Sequence, residues 1–365
     1  MKLHLYFARK FAVTFLGILG VFFLLMALID LVEQISRFSS RGVALPKIFE
    51  LTLLNTPQAI YNILPLVMIL ATITLFLGLA RSSELVVTRA AGRSALRSLM
   101  APVAVAAMIG IMAVSMFNPI VAATSKRFSE LDETYRTGGA DVLSISSEGL
   151  WLRQGGMEGQ TVIRAAAADA EGTTLYDVTM LSYAPQGGPT RRIQADKAVL
   201  GDGAWTLTSA KVWPLAAGTN PEAGAEVHDT LRITSSLTQD RIRDSFGTAT
   251  VISVWDLPQY IQQLKEAGFS ARRHSVWLQM ELARPLFLMA MVLVASAFTM
   301  RHTRFGHTGI AVLTAIMLGF GLYYIRNFAQ ILGENGQIPV MLAAWAPPVA
   351  SVLLALGLLL HMEDG

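Results

Sequence analysis

Six runs of apolar residues, three toward each end of the chain, leave this sequence few ways to fold. They cover residues 11–29, 51–80, 98–125, 285–300, 308–325 and 338–360, and none contains a charged residue. A helix needs roughly 20 apolar residues to cross about 30 Å of hydrocarbon. Each run approaches or passes that length, the fourth with help from its flanking residues. Pro57, Pro65, Pro102, Pro119, Pro285, Pro347 and Pro348 would break soluble helices but are tolerated in membrane helices, where neighbours satisfy the freed backbone. Composition agrees: 53% of residues are hydrophobic and 15% charged, against about 45–50% and about 25% in a soluble domain. The first run follows a basic start like that of a signal peptide, but it is long enough to span and no small-residue cleavage site follows it. It is expected to remain as the first span.

Basic residues in the short connections set the orientation. With the N-terminus in the cytoplasm, the inner side carries Lys2, Arg9, Lys10, Arg81, Arg89, Arg93, Arg97, Arg301 and Arg304, and the outer loops carry Arg37, Arg41 and Lys47. Both termini are then inside, and the long polar insert between spans three and four is outside. A net charge of +3, with most arginine beside apolar runs, gives no case for nucleic acid. The absence of cysteine rules out disulfides, thiolate metal sites and a thiol nucleophile.

The insert reads as β structure. Phrases such as GLWLRQ (149–154), TTLYDVTMLSYAP (173–185), KAVLGDGAWTLTSAKVW (197–213) and DTLRITS (229–235) are rich in β-branched and aromatic residues and are separated by turn formers. The break at residues 201–203 predicts a hairpin, with Trp205 and Leu207 on one face of the returning strand and Thr206 and Thr208 on the other. A sandwich, jelly roll or partly open barrel all fit. With 12 Lys/Arg against 16 Asp/Glu between residues 126 and 250, the insert is mildly acidic and better suited to apolar chains than to phosphates. After it, Leu257, Ile261 and Leu264 share a helical face, with Asp256 as a start and Gly268 as a stop. The expected layout is spans one to three in 1–125, a β domain in 126–255, an amphipathic helix and linker in 256–275, and spans four to six in 276–365.

No phosphate-binding loop, zinc-protease motif or nucleophile elbow is present, and the pair His302 and His307 sits among basic residues of a loop. No catalytic residue, metal site or cofactor is expected, so work on a substrate would draw on a partner or an ion gradient. Asp30, Glu281, Arg284 and Arg326 lie near span ends, where a helix-end ion pair and a substrate contact are equally good readings. The most suggestive polar stretch is LARSSELVVTRAAGRS (79–94), on the inner side between spans two and three. Ser82 can cap a short helix there, Glu84 falls in its first turn and Gly92 can end it. Glu84 is then either a well-placed first-turn acid or part of a coupling helix docked in a cytoplasmic ATPase, with Leu85 and Val86 as apolar anchors and Arg81 and Arg89 as rim charges.

Several phrases resemble one family: RSSELVVTRAAG (81–92), LVEQISR (31–37), EGLWLR (148–153), YIQQLKEAG (260–268) and RPLFLMAMVLVASAF (284–298). They are similar to the lipopolysaccharide export permeases of the LptF/LptG family, with the tryptophan phrase and YIQQLKEAG closer to the LptG branch. The resemblance implies an α-helical integral membrane protein with six transmembrane helices and an inserted, jelly-roll-like periplasmic β domain. It implies an LptF-like paralogue, a dimer of the cytoplasmic ATPase LptB, an LptC-like periplasmic bridge protein, and lipopolysaccharide drawn from the inner membrane among its lipids. It also implies that Glu84 engages the ATPase and that Arg37 and Arg326, on gating spans, face headgroup phosphates, with Arg41 and Arg284 as further candidates. One position that is basic in familiar LptG proteins is Asp30 here. The rival is a membrane-anchored sensor or scaffold with a ligand-binding β domain, for which six spans and a structured inner connection are more than an anchor needs.

Overall fold

The computed structural model describes residues 2–39, 43–90, 94–137, 143–146, 149–156, 159–169, 173–184, 188–201, 203–215, 220–235, 249–266, 270–300 and 308–364. Nine helices are described: α1 (Lys2–Phe38), α2 (Leu45–Arg81), α3 (Glu84–Ala90), α4 (Ala95–Met112), α5 (Asn118–Thr137), α6 (Leu257–Glu266), α7 (Arg272–Thr299), α8 (Thr308–Glu334) and α9 (Val340–Asp364). A π-helical turn, Ala113–Phe117, joins α4 to α5, so the two make one long rod. Six helical rods are long and apolar enough to cross a membrane, matching the six apolar runs. The chain forms two compact units, one holding these helices and one holding the β insert and α6.

In the helical unit α7 is the hub, packed against α2, α4, α8 and α9. Of its most apolar window 72% is buried, against 6% for α1, which leaves residues such as Val13, Leu16, Val21, Leu24 and Leu28 exposed. α7 begins at Arg272, well before the apolar run at 285–300, because its early charged residues are satisfied within the protein. Arg272 donates from Nε to the Gly333 carbonyl (2.7 Å) and from Nη2 to the Ile338 carbonyl (2.6 Å), closing the end of α8. Close packing at Gly110 draws α4 onto α7, since a Cβ there would meet Pro285 Cα at 2.5 Å.

The π turn serves the chain as it returns from the β insert. Such turns loosen the helical hydrogen-bond ladder, and the Ser115 carbonyl within it accepts from Trp255 Nε1 (3.1 Å). Asn118 Oδ1 accepts from the Val254 amide (2.8 Å) one turn on. The segment Thr250–Trp255 is thereby stitched to the third rod and belongs to the helical unit.

The β unit is one antiparallel sheet of seven strands in the order β1 to β7: Leu143–Ser146, Gly149–Gly156, Gly159–Ala168, Thr174–Tyr183, Pro189–Gly201, Ala204–Pro214 and Glu226–Thr234. Neighbours in sequence are neighbours in space, a meander with no Greek-key crossing among the described strands. It curls on itself: Gln154 of β2 donates to the Thr234 carbonyl at the end of β7 (3.5 Å) and accepts from the Ser235 hydroxyl (2.8 Å). The concave side buries Leu152, Ile163, Val178, Met180, Ile193, Trp205 and Leu207. The β5–β6 hairpin pairs Gly201 with Ala204, and Gly203 at φ 69° makes the reversal that a side chain would strain. Trp205 and Leu207 are buried and Thr206 and Thr208 exposed, as the alternation predicts, while Asp202 lies outside the described residues. In α6, Leu257, Ile261 and Leu264 are all buried, the expected face.

Adding a methyl group separates a backbone contact from a side-chain contact. Gly110→Ala should destabilise the detergent-purified protein by about 1–3 kcal/mol in thermal unfolding, because the Pro285 backbone must move. Gly319→Ala, which meets the flexible end of Ile69, should cost distinctly less.

Candidate functional site

Two ion-paired constellations stand out among the described residues of the helical unit. The first is built on Glu84, the first residue of α3. Ser83 at φ 61° turns the chain sharply out of α2, and its carbonyl accepts from the Val87 amide to start α3. Ser82, expected to cap α3, instead ends α2: its hydroxyl reaches the Gly78 carbonyl (3.1 Å) and the Glu84 carboxylate (2.8 Å). The extra turn residue moves the capping position on by one.

From that corner Glu84 meets α1. Its carboxylate takes the Tyr6 hydroxyl (2.8 Å) and forms an ion pair with Lys10 (3.0 Å), which also donates to Tyr6 (3.1 Å). Both charged side chains are about one-third exposed, so the pair contributes roughly 0.5–1 kcal/mol. Partial burial raises the Glu84 pKa, but the bonds from Lys10, Tyr6 and Ser82 outweigh it and hold the group below its ordinary 4.5. Sequence reasoning identified Glu84 and missed Tyr6 and Lys10. Their i, i+4 spacing on one face of α1 was the available signal.

The rest of the segment divides. Leu85, expected as an outward anchor, is 5% exposed and packs in the helical core, and Thr88 turns inward with it. The 100° step of the helix sets this, and among the described side chains of α3 the apolar one presented outward is Val87, 67% exposed. Arg81 is exposed at the end of α2. Val86 and Arg89 lie on α3 with side chains outside the described set, and Gly92 lies outside the described residues.

The second constellation locks α2 to α7. Arg284 grips Glu281 one turn earlier with both Nε (3.0 Å) and Nη2, and the Tyr61 hydroxyl of α2 donates to the same carboxylate. Arg284 Nη1 donates to the Tyr61 carbonyl (3.2 Å), and its guanidinium lies 3.8 Å from the centre of the Tyr61 ring. That carbonyl is free because Pro65, four residues on, has no N–H to return to it. Glu281 is fully buried and Arg284 3% exposed.

Arg326 of α8 lies within electrostatic reach of this pair, over the Phe287 ring at 5.2 Å, with Nη2 unbonded by any described residue. One carboxylate thus faces two buried guanidinium groups. A cleft of about 80 Å³ between α2 and α8 is lined by Asn62, Ile69, Gly319 and Tyr323 among others, and neither arginine is in its lining. The expected substrate contacts Arg284 and Arg326 are therefore neighbours, whereas Arg37 is exposed near the end of α1, stacked on Phe38, and Arg41 lies outside the described residues.

Six apolar rods, an inserted antiparallel domain and a bonded acid in the α2–α4 connection define a multi-pass membrane protein with a large polar insert. The chain belongs to the lipopolysaccharide export system permease LptF/LptG family, whose pattern matches residues 5–361. It is 24% identical over 364 residues to the lipopolysaccharide export system permease protein LptG of Haemophilus influenzae, covering 95% of this chain and 97% of that protein. It is 23% identical over 369 residues to the protein of the same name from Escherichia coli K12, covering 98% of this chain and 97% of that protein.

Two measurements test these sites. Glu281→Leu strips the buried cations of their carboxylate and should cost about 3–5 kcal/mol in thermal unfolding, with Glu281→Leu/Arg284→Met recovering only part of it, because Arg326 keeps no counter-charge and the Tyr61 carbonyl loses its donor. For Glu84 the folded value is the lowered one, so the tie is present above the ordinary carboxylate range and is lost as pH falls through the lowered value. The chain has no cysteine, so spin labels at Leu5→Cys and Val87→Cys are specific. Their distance distribution should stay narrow from neutral pH down through the ordinary carboxylate range and broaden only below it. With Lys10→Met added, it should be broad already at neutral pH.

Proposed function

We propose that this chain is the permease subunit that lifts lipopolysaccharide out of the inner membrane and hands it through its β domain toward the outer membrane. It works beside an LptF-like paralogue, over a dimer of the cytoplasmic ATPase LptB, and delivers to an LptC-like bridge protein. Both termini are cytoplasmic and the β domain periplasmic, the orientation that the basic connections favour. Family membership and the mildly acidic insert, whose sheet buries an apolar face, support a lipid cargo.

The observation that carries the mechanism is the bonding of Glu84 to α1. α3 is the coupling helix, with the exposed Val87 offered to the ATPase and Arg81, Val86 and Arg89 as the further contacts that the family resemblance suggests. Closure of the nucleotide-bound dimer displaces α3, and the Lys10–Glu84 ion pair passes that displacement to α1, the least buried of the spans. Moving α1 changes the size of the lipid cavity it borders. Arg284 and Arg326, buried on α7 and α8, with Arg37 in the last turn of α1 and Arg41 beyond it in sequence, supply positive charge for headgroup phosphates.

Glu84→Ala should abolish lipopolysaccharide export in cells while the protein still inserts in the membrane. Lys10→Met should leave copurification with the ATPase intact and reduce export severalfold. Normal export in Glu84→Ala removes the coupling role, and failure of any ATPase to copurify with the native chain favours the sensor or scaffold reading.

A further inference from the structure

Between α1 and α2 lies a polar cluster that the coupling contacts leave unused. Asp30 of α1 is 7% exposed, and its Oδ1 accepts from Asn55 Nδ2 of α2 (2.6 Å) and from Gln34 Nε2 (3.3 Å). Those bonds engage the amide nitrogens and leave oxygen behind. Asp30 Oδ2, Gln34 Oε1 and Thr52 Oγ1 are all buried with no hydrogen-bond partner among the described residues. Gln34 is 2% and Thr52 3% exposed.

Helical geometry puts these residues on neighbouring levels of the α1–α2 hairpin. The Asp30–Asn55 bond fixes the register of the α1–α2 hairpin. Gln34 lies one turn along α1 and Thr52 about one turn back along α2, so in an antiparallel pair they stand at the same level. Thr52 also departs from the habit of its neighbours: Thr56 and Thr72 bond the carbonyl four residues back, at 2.7 Å each, and the Thr52 hydroxyl does not.

All three leftover atoms can accept, so the group that answers them is a donor or a cation. A lone carboxylate in this setting is costly, and the fully buried Glu281 has Arg284 against it where Asp30 has two amides. A single carboxylate with two neutral oxygens balances one positive charge, and an all-oxygen set suits a hard ion. We propose that Asp30, Gln34 and Thr52 form a site for a monovalent cation that ties α1 to α2. An alkali ion meets this description, and so does the primary ammonium of a lipid headgroup, whose three N–H donors match three acceptors. The proposal is independent of the role given to Glu84.

The test is thermal unfolding of the full-length protein in mild detergent, exchanged into choline chloride, a cation too bulky to enter. Replacing choline by sodium or potassium at equal ionic strength should raise Tm by about 2 °C or more, saturating with concentration. A rise with ethanolamine hydrochloride assigns the site to a headgroup ammonium, and a rise with alkali ions alone assigns it to a free ion. Asp30→Asn and the nearly isosteric Thr52→Val should each abolish the cation-specific rise, the second serving if the first does not fold. Equal Tm in all the chlorides, as when water satisfies the acceptors, overturns the proposal. So does a rise that persists in either folded variant.

Discussion

The helical unit depends on a hydrogen bond that one proline makes available. Pro65 cannot bond back to the Tyr61 carbonyl, and in an apolar bundle that acceptor needs another donor. Arg284 of α7 supplies it, and a guanidinium so placed needs a counter-charge, which Glu281 provides one turn away on the same helix. The Tyr61 hydroxyl completes the set by donating to that carboxylate. A backbone gap in α2 is thus answered by a buried ion pair on α7, and α7 becomes the helix on which the others pack. Buried ion pairs contribute little net stability, but this one specifies which helix lies against α2 and in what register.

The same economy shapes the moving parts. α1 meets the core through Phe7, Phe11 and Phe15 near its start and exposes most of its remaining length. Its polar ties to other helices include Tyr6 and Lys10 to Glu84 at one end, and Asp30 to Asn55 toward the other. A helix tied by hydrogen bonds and ion pairs moves with the elements that hold it. α7, packed on four neighbours, offers a fixed frame for that movement.

Much of the architecture was legible in the chain. The six apolar runs marked the six rods, and alternation around Trp205 gave the hairpin and its faces. Glu84 was legible as the acid of a short segment, but its partners were not, because Tyr6 and Lys10 are more than 70 residues away. The apolar run alone begins at Pro285, and the expected span four at about residue 276; the helix starts at Arg272, with Glu281 and Arg284 neutralising each other inside it. Leu85 and Val87 are both apolar and two residues apart. Sequence could not decide which faced inward until the Ser83 turn fixed the rotation of α3.

By itself the sequence determined the membrane class, the insertion of one β domain and the family, since hydropathy, strand alternation and local motifs act over short stretches of chain. The tertiary structure alone decided which polar groups meet. The Lys10–Glu84 ion pair, the Tyr61–Glu281–Arg284 lock and the leftover oxygens around Asp30 each depend on the rotation and register of whole helices. Those are set by the packing of every neighbour together, and no stretch of sequence carries them alone.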